Sequence, residues 1–307
     1  MASSTANTTT FTLPNTTPGI PITHPSTLTK DQILNFPAFK TWLSTLQRSL
    51  SLQHSSTSHP FHESPYSLRS IEIQSVDFFF GHRLGFLKLK ATVANDRGES
   101  LPGSVFMRGG SVAMLIILTP SPSSPSRTTS QQRSRSREEE EEDDDDEEYA
   151  ILTIQPRIPA GSLNFAELPA GMIDDSGTFA GAAAKEIHEE TGLEIATDEL
   201  IDMTQLAATT QESGKSPSRD EEEQLQAAIY PSPGGSDEFI PIFLARKTLP
   251  RAQIEALKGK LTGLRDHGEK ITLRIVRIHE VWKVAWRDGK TLAAMALYQG
   301  LKGEGKL

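Results

Sequence analysis

The sequence predicts an α/β protein whose N-terminal part is rich in strands, and three observations predict it. Runs of β-branched and aromatic residues with strand-like length recur from Ser70 to Ile278. Apolar residues at helical spacing mark further segments between and after them. No apolar run approaches the length of a membrane span, and the longest, Val112–Leu118, suits a buried strand.

In chain order, residues 1–28 are Ser, Thr, Pro and Asn with few apolar anchors, which predicts a disordered tail. Thr29 opens a helix that Asp31 can cap, with Ile33, Leu34, Phe39, Trp42, Leu43 and Leu46 at helical spacing. Residues 51–66 read as a loop. Strands are expected at Ser70–Phe80 and Leu84–Val93 around the turn Gly81-His82-Arg83. Two more, Ser104–Met107 and Val112–Leu118, are parted by Gly109-Gly110. Residues 29–118 therefore read as a helix with a small β-subdomain.

Residues 119–148 are low in complexity: Ser/Pro, then Arg133, Arg135 and Arg137 alternating with Ser, then the unbroken acids Glu138–Glu148. Such a segment cannot bury enough apolar area to offset its ordering entropy, so a flexible insertion is expected. Tyr149–Ile154 resumes as a strand, beginning a domain over 149–307. Within it, Phe165–Leu168 is short and extended. Thr178–Glu190 is a helix with Phe179, Ala182, Ala183 and Ile187 on one face and Gly192 at its C-terminal cap. Strands follow at Ile201–Thr209, Gln226–Tyr230, Phe239–Ala245 and Ile271–Ile278, with the charged loop Ser213–Glu223 among them. His279–Trp286 and Lys290–Leu301 close the chain as helices, the last turning Leu292, Met295, Ala296 and Leu297 inward.

Composition narrows the chemistry. The chain has no cysteine, so thiolate and disulfide chemistry are excluded and a metal must be held by oxygen or imidazole. The net charge of −9 comes from the acids at Glu138–Glu148; the remainder is close to neutral, which gives no basis for nucleic-acid binding. There is no sign of membrane insertion. The N-terminus lacks the basic start and apolar run of a secretory signal. The expected compartment is the cytoplasm, with plastid or mitochondrial targeting left open by the Ser/Thr-rich start.

The segment Lys185-Glu186-Ile187-His188-Glu189-Glu190 places Glu186 and Glu190 four residues apart on a helix, with Glu189 beside them. Three carboxylates within a turn repel one another, and a divalent cation converts that repulsion into coordination. On this hexamer alone, a solvated acidic face is the plainer reading.

Its flanks change the balance. Gly171, Gly177, Lys185, Glu186, Ile187, Glu189, Glu190, Gly192 and Leu193 fall on the spacing of the Nudix box, which the stretch closely resembles. Two positions depart from the pattern. Gly177 stands where a glutamate belongs, for which Asp174 or Asp175 is a candidate substitute, and Lys185 stands where the family has arginine. Glu167-Leu168-Pro169-Ala170 and Ser232-Pro233-Gly234-Gly235-Ser236-Asp237-Glu238 resemble segments of the ADP-ribose and ADP-sugar pyrophosphatases. So do Val105–Arg108, Gln155–Gly161 and Thr262–Glu269, in the manner of the plant ADP-sugar diphosphatases.

The resemblance implies an α/β/α Nudix sandwich with a mixed sheet, behind an N-terminal β-subdomain through which relatives pair as homodimers. Phe78-Phe79-Phe80 is a candidate interface patch, buried core being the simpler reading. It implies Mg²⁺, with Mn²⁺ as substitute, on the backbone carbonyl of Ala170 and on Glu186, Glu190 and Glu269. It makes Glu269 the general base, with Glu189 as competitor. Arg157, Glu167, Gly234, Gly235 and Glu238 would meet the substrate, a small nucleoside-diphosphate sugar. A surface ion pair is the plain alternative for Arg157 and Glu238, and an ordinary type II turn for the glycine pair. The reaction implied is hydrolysis of an ADP-sugar, ADP-ribose or ADP-glucose, to AMP and a sugar phosphate. The rivals are another nucleoside-diphosphate substrate, such as NADH, a dinucleoside polyphosphate or coenzyme A, and a catalytically weak Nudix-fold nucleotide-binding protein.

Overall fold

The computed structural model describes residues 7–55, 57–79, 82–122, 147–173, 178–211, 223–264 and 269–307. Asp174, Asp175, Gly177, His267, Phe80, and most of the 119–148 insertion and of the Ser213–Glu223 loop lie outside them. The chain divides into two compact units: Met1–Ser111 with Met172–Ser176 and Thr204–Pro241, and Val112–Gly171 with Gly177–Met203 and Ile242–Leu307.

In the first unit, residues 8–25 correct the expectation of a disordered tail. Strand β1 (Thr8–Thr12) pairs antiparallel with β2 (Pro21–Pro25), setting Phe11 opposite Ile22. Leu13, Ile22 and Leu28 are buried in the core, so three widely spaced apolar residues anchor a Thr/Pro-rich segment. Helix α1 (Lys30–Asn35) is capped by Thr29 rather than Asp31, through a capping box with Gln32. Phe36 is extended ahead of Pro37, which starts α2 (Pro37–Ser55), and α2 runs into the segment expected as loop.

Four more strands complete this sheet: β3 (Ser67–Phe78), β4 (Leu84–Ala94), β5 (Ser100–Leu101) and β6 (Ser104–Met107). The order is β1-β2-β3-β4-β5, with β6 also on β4, and β2 meets β3 in parallel. Alternation sends Leu87, Leu89, Ala91 and Val93 of β4 into the core with Phe39, while Lys88, Lys90 and Thr92 face out.

The second unit holds an eight-stranded mixed sheet. Its central strand β7 (Ser111–Pro120) is buried almost throughout, as expected of a strand covered on both faces. Around it lie β8 (Tyr149–Arg157), β9 (Ser162–Glu167) and β10 (Ala170–Met172), followed by helix α3 (Phe179–Thr191) and β11 (Ile201–Asp202). Helix α4 (Met203–Gln211) follows in the chain but belongs to the first unit from Thr204 on, and the second unit continues with β12 (Ile242–Leu249), α5 (Arg251–Leu257), β13 (Leu261–Thr262), β14 (Ile271–Arg277), α6 (Val281–Val284) and α7 (Gly289–Gly303). β12 runs parallel to β7, whereas β8 is antiparallel to β7, to β14 and to β9. No helix among the described residues is long and apolar enough to cross a membrane.

Three further differences have local causes. Met203–Gln211 is α4, not a strand: Met, Gln, Leu and Ala favour helix and outweigh the flanking β-branched residues. Gln226–Tyr230 forms no strand beyond an isolated bridge between Ile229 and Ile240. On α7 the buried face is Thr291, Ala294, Met295, Tyr298 and Leu301, while Leu292 is exposed. The stripe is rotated because a threonine and a tyrosine occupy core positions.

Candidate active site

Helix α3 is built to deliver acids to one place. Thr178 caps its start, accepting from Gly181 N at 3.1 Å, and Gly192 ends it at φ 75°, donating to His188 O at 2.9 Å. Its buried stripe is Ala182, Ala183, Ile187, Glu190 and Thr191, so an acid occupies a core-facing position. Glu190 is only 5% exposed and accepts from the Ala170 N–H at 3.0 Å. Burial first, then the charge of Glu186, pushes its pKa up to about 8; the Ala170 hydrogen bond opposes this, and Arg157 opposes it weakly.

Glu186 lies against the same strand. A Cβ placed on Gly171 would stand 1.8 Å from the Glu186 carboxyl carbon, so that carboxylate occupies the space a side chain would take. Both acids therefore converge on the Ala170–Gly171 backbone, Glu190 through the Ala170 N–H and Glu186 beside Gly171.

Among the described residues, no group of three or more His, Asp or Glu side chains could hold a metal ion. Two repelling carboxylates gathered on one stretch of backbone still fit Mg²⁺, which takes one or two carboxylates and completes its shell with water and substrate phosphate. Hard oxygen donors are also all that a cysteine-free chain offers at this place.

Arg157 and Glu167 meet across the β8–β9 ladder, Nε to Oε1 at 2.6 Å. The Glu167 side chain is 3% exposed and its second oxygen is held by Lys290; the Arg157 side chain is 40% exposed. Glu167 is thus engaged by two cations inside the fold, while part of the Arg157 guanidinium reaches solvent. Lys290, Asp288 and Thr291, which complete this network from α7, escape the sequence reading, because no motif or local spacing ties them to Glu167. Gln155 carries a buried amide nitrogen with no hydrogen-bond partner.

Glu269 stands on the loop between β13 and β14, and β13 packs against α3. Its carboxylate accepts from Leu264 N at 3.0 Å, and its own N–H donates to Leu264 O at 3.3 Å. Glu189 is half-buried on α3. An open groove of about 590 Å³, lined by Ala184, His188, Ile195 and Lys247 among others, includes none of the expected site residues.

Gly234, Gly235 and Glu238 belong to the other unit. Gly235 O accepts from Phe106 N at 2.8 Å, and Gly235 N donates to Ser232 O at 3.1 Å. Neither glycine has positive φ, and a Cβ on either would meet nothing within 4 Å. A type II turn is thus not what places glycine here. Glu238 accepts from Ser111 Oγ and pairs with Arg108 Nη1, both at 3.0 Å. Asp237, given no role from sequence, accepts from the N–H groups of Arg108 and Gly109, and burial raises its pKa.

Residues 142–295 match the family described as "NUDIX domain". The chain is 34% identical over 269 residues to "Nudix hydrolase 14, chloroplastic" of Arabidopsis thaliana, covering 87% of this chain and 71% of that protein. A solved structure described as "Crystal structure of ADP compounds hydrolase" aligns with a TM-score of 0.42 and 17% identity, over 78% of this chain and 99% of that one.

Proposed function

The chain belongs to the Nudix family of hydrolases, and from that premise we propose that it cleaves the pyrophosphate of an ADP-sugar, ADP-ribose or ADP-glucose, in a Mg²⁺-dependent reaction. The observation that carries this reading is the convergence of Glu186 and the buried Glu190 on Ala170 and Gly171. The name of the solved structure, an ADP compounds hydrolase, agrees with the substrate class but adds no weight at its level of similarity.

Glu186, Glu190, the carbonyl of Ala170 and Glu269 would hold the cation in this reading. A bound Mg²⁺, or Mn²⁺ in its place, would supply neutralisation of the diphosphate charge and a more acidic water. Arg157 offers its exposed edge to a phosphate, and the unpaired Gln155 donor, two residues away, suits an acceptor-rich ligand. Glu269 takes the proton of the water, with Glu189 as the competing base. The water oxygen bonds to phosphorus as the anhydride P–O bond breaks, which releases AMP and a sugar phosphate.

The chain is expected to pair as a homodimer through its N-terminal sheet. Phe86 packs edge-to-face with Phe79 and tilted against Phe106 there, at ring-centroid distances of 4.9 and 5.3 Å, and Phe78 and Phe106 are 38% and 44% exposed. Sedimentation of Phe106→Asp against the parent tests this, a monomeric variant being the expected result. The cytoplasm remains the expected compartment, with the plastid favoured instead if a fluorescent fusion follows the chloroplast placement in the Arabidopsis relative's name.

The test of function is AMP release from ADP-ribose, ADP-glucose and NADH with Mg²⁺, for the parent and for Glu190→Gln. Turnover of an ADP-sugar by the parent, lost in the variant, supports the reading. Preference for NADH moves the substrate class, and binding without turnover favours a nucleotide-binding protein.

A further inference from the structure

We propose that Lys290 is a positioning residue, fixing from the first turn of α7 the four-residue segment Glu167–Ala170 on which Glu190 is held. This rests on reading Glu186 and Glu190 as cation ligands.

Each of the four residues has its own anchor. Glu167 is gripped by Arg157 and Lys290. The Leu168 N–H donates to Thr291 Oγ1 at 3.1 Å. The Pro169 carbonyl accepts from Met114 N at 3.0 Å. The Ala170 N–H donates to Glu190. Two of these anchors come from one helical turn. Lys290 also contacts Asp288 Oδ1 at 3.1 Å, and Asp288 caps α7 through Thr291 N while accepting the Thr291 hydroxyl at 2.6 Å. The Lys290 ammonium therefore joins the cap of the helix to the strand that leads into the site.

Charge makes the link more than a staple. Glu167 and Asp288 carry two negative charges, and Arg157 and Lys290 carry two positive ones. With the Lys290 side chain 11% exposed, that of Asp288 8% and that of Glu167 3%, these three are buried, and deleting the cation between the two acids leaves an uncompensated charge. Without Lys290, Arg157 becomes the sole cation facing Glu167 and is drawn inward from solvent. The segment also loses one tie to α7 just upstream of the N–H that holds Glu190. A residue that merely stabilises the fold would lower the melting temperature and leave the cation affinity of the folded protein unchanged.

The experiment compares the full-length parent with Lys290→Met and Lys290→Arg. It reads Mn²⁺ affinity by calorimetry and amide exchange of the 167–171 peptide by mass spectrometry. Lys290→Met is expected to weaken Mn²⁺ binding about tenfold, the scale on which supporting partners of metal ligands act. Its 167–171 amides should exchange faster while those of β3 and β4 do not, and Lys290→Arg should keep most of the affinity. Parental Mn²⁺ affinity in Lys290→Met overturns the proposal, whatever its melting temperature. If Lys290→Met does not fold, Glu167→Gln with Lys290→Met removes the stranded charge and carries the same comparison. A parent that binds no Mn²⁺ sinks the cation reading instead, and the exchange of 167–171 then decides the role of Lys290 by itself.

Discussion

The Ala170–Glu190 side of the site is tied at every residue, whereas the Glu269 side closes on its own loop. On the first side, β10 is bonded to α3 through Glu190, its approach to β7 to Met114, and its upstream residues to α7. On the second, both hydrogen bonds described for Glu269 go to Leu264, and both residues are exposed. The difference separates two tasks. Ligands of a cation gain from being held in place before it arrives, because reorganisation then costs little at the moment of reaction. In its proposed role as base, Glu269 would exchange the two described hydrogen bonds to Leu264 for contact with the substrate water.

The comparison breaks most sharply at Glu190. Glu190→Gln should lower kcat by about a thousandfold or more, the scale of several kcal/mol of charge stabilisation, with the folded structure retained by circular dichroism. On the Glu269 side, Glu269→Gln keeps an acceptor for Leu264 N but cannot take a proton. It should reduce kcat by about a hundredfold while Mn²⁺ affinity falls far less than for Glu190→Gln. An unchanged kcat here, with a large loss for Glu189→Gln, transfers the base to α3. Gly171→Ala tests the tied side sterically: a methyl group on Glu186 should cost about 1–3 kcal/mol in denaturant unfolding and weaken Mn²⁺ binding together.

A separate effect is a pH dependence. The Glu190 carboxyl has its folded pKa raised from 4.5 to about 8, so the folded metal-free protein holds a proton that the unfolded chain has lost. This contribution is fully present below about pH 4.5 and disappears as pH rises through about 8. In the presence of EDTA, the stability of the parent relative to Glu190→Gln should therefore fall between those limits. Mg²⁺ should flatten the slope, since the cation favours the charged carboxylate. A parent and variant with parallel pH profiles would remove the electrostatic part of the account.

What the sequence shows of this arrangement depends on how local its causes are. Helix α3 is readable because its caps, Thr178 and Gly192, and its apolar stripe all fall within one segment, and Glu186 and Glu190 are placed by the same periodicity. The strands at residues 8–25 are not, because β1 rests on β2 and β2 on the distant β3: Ile22 meets Ile71, and the Thr-rich sequence between anchors looks like solvated chain. The tie between Lys290 and Glu167 spans 123 residues and follows from where α7 starts, which no local pattern records. Gly234 and Gly235 show the reverse, since the sequence marks them while their backbone has no conformational need of glycine.

The most direct measurement is Mn²⁺ binding to the parent and to a Glu186→Gln, Glu190→Gln double variant, followed by electron paramagnetic resonance at pH 7.5. The account predicts a bound fraction in the parent that vanishes in the variant while both remain folded. Equal binding by the two proteins would contradict it.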